Sequence, residues 1–123
     1  MNYFISSCLE IKDTTRGLGV FTKTDIPSGI IVEHSPFSGC WATKWKDTPE
    51  NLRKIAFSFP QGEDNYVIAL GYLSLYNHSD NNNAHWSTSK KGIYIHALRN
   101  INAGEEIFIH YGDSYWAGGW PKN

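Results

Sequence analysis

Four short segments carry residue types that could do chemistry. Gly17-Leu18-Gly19-Val20-Phe21 sets two glycines ahead of a β-branched and aromatic run. Missing side chains let backbone approach a ligand closely, although a tight hairpin explains the glycines as well. The third glycine and following helix of a dinucleotide fingerprint are absent. Tyr76-Asn77-His78-Ser79 is a polar cluster straight after an apolar stretch. His78-Ser79-Asp80 contains the residue types of a hydrolytic triad, but adjacent residues do not align nucleophile, base and orienter, so a polar loop is the simpler reading. Glu105-Glu106 leads into Ile107-Phe108-Ile109-His110-Tyr111-Gly112. A tyrosine ending such a run places its hydroxyl either at the edge of a core or in a pocket. Finally, Tyr115, Trp116 and Trp120 surround Gly118-Gly119, and so many aromatics predict a packed tail.

Other candidates are weaker. His34, His78, His85, His96 and His110 show no tight metal-ligand spacing, and no metal is expected. Cys8 and Cys40 lie far apart and read as reduced thiols. Asn77-His78-Ser79 spells a glycosylation acceptor, expected to be unmodified because Met1-Asn2-Tyr3-Phe4-Ile5 does not read as a signal peptide.

The elements that must position these residues read as short strands. Glycine or proline punctuates the chain every ten residues or so, with β-branched or aromatic runs between. Strands are expected at Phe4 to Ile11, Val20 to Thr22, Ile30 to Val32, Tyr66 to Leu70 and Glu106 to Tyr111. Ala84 to Thr88 and Ile93 to Leu98 form an expected hairpin, in which His85 and His96 can face each other. Asp13 to Gly19 and Asp25 to Gly29 read as turns, and Ser35 to Pro49 as a loop. Thr48-Pro49-Glu50 has the hydroxyl, proline and acid of a helix start, but Phe57, Phe59 and Pro60 keep that helix brief. Asp25-Ile26-Pro27-Ser28-Gly29-Ile30 is echoed by Asn100-Ile101-Asn102-Ala103-Gly104-Glu105; two copies do not make a solenoid.

The whole chain, 123 residues, suits a single domain. With 41% hydrophobic and 19% charged residues the composition is globular, which argues against disorder. A formal charge of −1 does not favour nucleic acid or a membrane surface as partner. No apolar run nears the length of a membrane span.

Taken in order, Gly17-Leu18-Gly19-Val20-Phe21, Tyr76-Asn77-His78-Ser79 and Gly104-Glu105-Glu106 through Tyr111-Gly112 resemble the SET-domain lysine methyltransferases. The likeness runs over about 11–116 and is greatest to the minimal viral and bacterial members, especially the small chlorella-virus type. It implies a mainly β SET fold: small curved sheets around a knot-like C-terminal crossing, with few short helices. It implies S-adenosylmethionine as cofactor, with Gly17, Leu18 and Gly19 holding its amino-acid part. Asn77 and His78 would contact the amino acid and adenine, and Trp116 would lie on the adenine ring. Tyr111 matches the catalytic tyrosine and would also border the cofactor. Phe57, Tyr72 and Ile109 would line the lysine channel, with Tyr66 as the alternative to Tyr72. An apolar Ile109 would leave room for more than one methyl. The sequence departs from the family motif at Ser74 (arginine), Asp80 (cysteine) and Asn82 (proline), whereas Asn83 matches; Ile55 stands at an expected channel tyrosine. The implied partner is a lysine-bearing protein, a histone tail or a host or ribosomal protein, and a homodimer is compatible by analogy. A cytoplasmic location is expected, or a host nucleus for a eukaryotic virus. The competing expectation is a non-catalytic SET-fold binding module.

Overall fold

The computed structural model describes residues 2–53, 55–58 and 63–112. Ten strands are the main elements of the described chain: β1 (Phe4–Ile5), β2 (Leu9–Thr14), β3 (Gly17–Thr22), β4 (Ile31–Thr43), β5 (Ala56–Ser58), β6 (Tyr66–Ala69), β7 (Asn77–His78), β8 (Ala84–Thr88), β9 (Gly92–Ala97) and β10 (Phe108–Ile109). One short helix, α1 (Glu50–Arg53), follows Thr48-Pro49 as expected. The mainly β class of the sequence reading holds.

Three sheets share the core. The largest runs β5-β6-β4-β9-β8, with β1 also paired to β4. A hairpin joins β2 to β3, and β7 pairs in parallel with β10. Alternation builds the large sheet: Ile93, Ile95 and Ala97 of β9 point inward and are buried, while Tyr94 and His96 take the other face. The expected β8–β9 hairpin forms, with His85 opposite His96.

Several expected boundaries are corrected. The first strand is two, because the turn at Ser7-Cys8 separates β1 from β2. The expected turn at Asp13 to Gly19 contracts to Thr15-Arg16, as the ladder zips down to Thr14 opposite Gly17. The loop expected from Ser35 is instead strand as far as Thr43, because β4 changes partner: Ile31 to Pro36 pair with β9, and Phe37 to Thr43 run along β6 through a register shift. The last strand shrinks to Phe108–Ile109, since Glu106 bridges the other way, to Phe21. The echoed turns meet each other. Ile26 and Ile101 exchange both backbone hydrogen bonds at 2.8 Å, and both side chains are buried.

The parallel pair β7–β10 positions the site. It sets Asn77 beside Phe108 and His78 beside Ile109. Asn83, almost fully buried, holds the approach to β10 at two points. Its Nδ2 donates to the Glu106 carbonyl at 2.9 Å, and its Oδ1 accepts the Phe108 N–H at 2.9 Å. A carboxamide is suited to this, having a donor and an acceptor side by side. The tail from Asp113 onward, with the expected crossing and Trp116, lies outside the described residues.

Candidate functional site

At one end of the β7–β10 pair, strand β3 runs close against Asn77. Asn77 Nδ2 donates to the Leu18 carbonyl at 3.1 Å and to Glu106 Oε2 at 2.8 Å. A Cβ on Gly19 would stand 2.5 Å from Glu106 Oε2 and 3.0 Å from Asn77 Nδ2, so only glycine fits there without displacing both. Gly17 closes the hairpin opposite Thr14, and the Leu18 side chain is exposed. The result is a small polar corner: a carbonyl, a carboxylate and an amide around a strand without bulk.

At the other end stands Tyr111. Its hydroxyl donates to the Tyr76 carbonyl at 2.7 Å, and its backbone N–H donates to His78 Nδ1 at 3.0 Å. The Tyr111 ring borders a pocket walled by Trp45, Phe57, Tyr66, Tyr76 and Trp86, with Ile55, Ala56, Ser58, Leu73 and Ser74 between them. No charged side chain is among the described lining residues. The aromatic walls brace one another: Phe57 meets Trp86 edge-on at 5.1 Å, and Trp45 tilts against Tyr66 at 5.0 Å. The Trp86 indole N–H donates to the His110 carbonyl at 3.2 Å, anchoring the pocket wall to the residue before Tyr111.

His78, Asp80 and His110 also converge, with one ligand-type atom of each lying within 4.8 Å of the others. Proton bookkeeping speaks against a cation there. His78 Nδ1 accepts the Tyr111 N–H, and His110 Nδ1 accepts the Gly112 N–H at 2.9 Å. Each neutral ring therefore carries its proton on Nε2. Those two Nε2 atoms lie 2.8 and 3.5 Å from Asp80 Oδ1. A metal would have to displace both protons from rings whose other nitrogens already accept.

Of the residues expected from sequence, Gly17, Leu18, Gly19 and Asn77 lie together at the polar corner. His78 links that corner to Tyr111. Phe57 and Tyr111 line the pocket, as do Ile55 and Tyr66. Tyr72 and Ile109 are not among its lining residues: Ile109 is wholly buried in the core, and Tyr72 packs half-buried against the core from outside. The reason for Ile109 is alternation in β10, which turns it inward next to His78. Sequence reading missed Trp45, Trp86 and Tyr76 as pocket walls, and Glu33 as the partner of Tyr76. Trp45 fell in an expected loop and Trp86 in a hairpin, and no spacing joins either to Tyr111. Asn83 matches the family motif in sequence, and in the structure it holds β10.

Glu33 is fully buried, yet its carboxylate accepts three hydrogen bonds, from Tyr76 Oη at 2.7 Å, Ser35 Oγ at 2.7 Å and the Tyr72 N–H at 2.8 Å. Burial pushes its pKa up, and these bonds oppose the rise. Burial, with Glu33 beside it, holds the Tyr76 phenol well above its usual range.

The sequence profile of the SET domain matches residues 17–112. The chain is 33% identical over 115 residues to a fission yeast (Schizosaccharomyces pombe) histone-lysine N-methyltransferase specific for histone H3 lysine 37, covering 91% of this chain and 78% of that protein. A crystal structure of a candidate histone methyltransferase from Plasmodium falciparum superposes with a TM-score of 0.72 at 31% identity, covering 91% of this chain and 99% of the other.

Proposed function

The chain belongs to the SET-domain family, and from that premise we propose that it is an S-adenosylmethionine-dependent protein-lysine N-methyltransferase. One observation carries the reading: the Tyr111 hydroxyl, held on a backbone carbonyl, borders an uncharged aromatic pocket on the strand pair that also carries the glycine-lined polar corner.

The corner suits the amino-acid end of the cofactor. An α-ammonium needs acceptors, which the Leu18 carbonyl and Glu106 carboxylate provide; the Asn77 amide donates to both and holds them side by side. The bare Gly19 gives the close approach. When bound, the cofactor supplies a methyl group on a positively charged sulfur. Trp116, proposed to lie on the adenine, is outside the described residues.

The chain's own residues prepare the lysine. Free lysine has a pKa near about 10.4, and only its neutral amine is a nucleophile. The pocket walls are largely aromatic and aliphatic and offer no carboxylate among the described residues, so desolvation of a seated amine favours the neutral form. The Tyr111 O–H donates its hydrogen bond to the Tyr76 carbonyl, so towards an arriving amine its oxygen acts as an acceptor. That fixed dipole orients the amine and favours positive charge on the group in transfer. Holding two reactants in line supplies the rest of the rate enhancement. An aromatic lining that includes Trp45, Phe57, Tyr66 and Trp86 suits an alkylated ammonium, which supports addition of more than one methyl. The proposed substrate is a lysine-bearing protein such as a histone tail.

The test is transfer of labelled methyl from S-adenosylmethionine to recombinant histones, with Tyr111→Phe in parallel. Label on lysine that disappears in the variant supports the reading. Cofactor binding without transfer, across histones and cell extract, would favour the second reading, a non-catalytic binding module. Ile55 in the pocket wall, where a tyrosine was expected, favours that second reading.

A further inference from the structure

We infer that Glu33 is a positioning residue for Tyr111, acting through Tyr76; the inference rests on the role of Tyr111 proposed above. Glu33 lies on β4, the middle strand of the large sheet, with neighbours on both sides. Its side chain grips one segment of chain at both ends. Oε2 takes the backbone N–H of Tyr72, where the segment begins, and Oε1 takes the ring hydroxyl of Tyr76, where it ends. Between them lies one 3-10 turn, Leu73–Leu75. Ser35 Oγ donates to Oε2 as well, so three donors converge on one acceptor-only group. The chain enters this segment at Gly71, whose φ is +68° and where a Cβ would collide with Glu33 Oε2 and Ser35 Oγ.

The segment held in this way ends in the carbonyl that receives the Tyr111 hydroxyl. The Tyr111 phenol is therefore tied to a rigid central strand by a relay: phenol to Tyr76 carbonyl, Tyr76 ring to Glu33 carboxylate. A 3-10 turn alone has poor hydrogen-bond geometry and would leave that carbonyl loosely placed. A buried carboxylate is costly to keep, and core packing alone does not call for one at this place. Two of its three bonds hold the segment that sets the catalytic tyrosine, and the third, from Ser35 on the same strand, fixes the carboxylate itself.

Two variants separate this role from bulk stability. Tyr76→Phe deletes only the hydroxyl that reaches Glu33, leaving the carbonyl in place. Glu33→Gln exchanges the carboxylate for a neutral amide: its oxygen can still take the Tyr72 N–H, but its nitrogen can only donate to the Tyr76 hydroxyl, so that bond is reversed and loses its charge. The first readout needs no substrate: 13C NMR of ζ-labelled tyrosines, with the Tyr111 signal identified by its loss in Tyr111→Phe. The Tyr111 signal is expected to move in both variants. With histone H3 as acceptor, kcat is expected to fall about tenfold or more in each, with the dissociation constant of S-adenosylmethionine unchanged. The double variant should fall no further than the worse single one, because both cut the same relay. An unmoved Tyr111 signal in folded Tyr76→Phe, or full kcat in that variant, overturns the inference. A wild-type protein with no turnover on any acceptor overturns the proposed function instead, and the NMR signal still decides the relay.

Discussion

At the scale of single residues, the site turns on two atoms that could have been elsewhere. The Tyr111 hydroxyl is bound to a carbonyl, which sets where its oxygen points. Replacing Tyr111 by Phe leaves the ring and removes the dipole. Turnover should drop by roughly a hundredfold, with the cofactor's affinity nearly unchanged; calorimetry beside a methyl-transfer assay reads both. Gly19 is the opposite case, a residue defined by what it lacks. In Gly19→Ala the new methyl would press on Glu106 Oε2 and Asn77 Nδ2. Cofactor affinity should therefore weaken strongly while the pocket side stays intact. Retained affinity in that variant would show that the polar corner is not where the cofactor's amino acid sits.

At the scale of elements, the two-residue strands β7 and β10 matter more than their length suggests. Short strands have little to hold them, and Asn83 supplies what the ladder lacks. Asn83→Ala leaves the Glu106 carbonyl and Phe108 N–H without that partner in a buried place. A loss of about 1–3 kcal/mol in urea unfolding is expected, and turnover should fall with it, because Tyr111 lies three residues beyond Phe108. Of these features, the β8–β9 hairpin and the brief α1 were legible in sequence, since both depend on local turn and cap chemistry. The extension of β4 to Thr43 was not, because its second half is strand only by virtue of β6, which is contributed from more than twenty residues away.

At the scale of the whole molecule, buried Glu33 and half-buried His85 shape the dependence of stability on pH, with opposite signs. Burial raises the Glu33 pKa. The unfolded chain therefore releases that proton first, near about pH 4.3, and the stability present below that pH is lost as pH rises through the folded value. Burial, then repulsion from His96 and His110, lowers the His85 pKa. Its contribution is present above about pH 6.5, the unfolded value, and is lost as pH falls through the lowered folded one. Thermal unfolding between pH 4 and 8 should show Glu33→Gln removing part of the loss of stability as pH rises from 4, and His85→Gln flattening the loss as pH falls below neutrality. Matching curves for wild type and both variants would contradict these assignments. By itself the sequence determined the mainly β class, the hairpin and the three ordered motifs that pointed to the family, because periodicity, turn residues and motif order are written locally. Only the tertiary structure decided which aromatics wall the pocket, why Ile109 and Tyr72 do not, and that Glu33 holds Tyr76. Those facts depend on which strands pair and in what register, and pairing between distant segments is set by burial of the whole core rather than by any one stretch of chain.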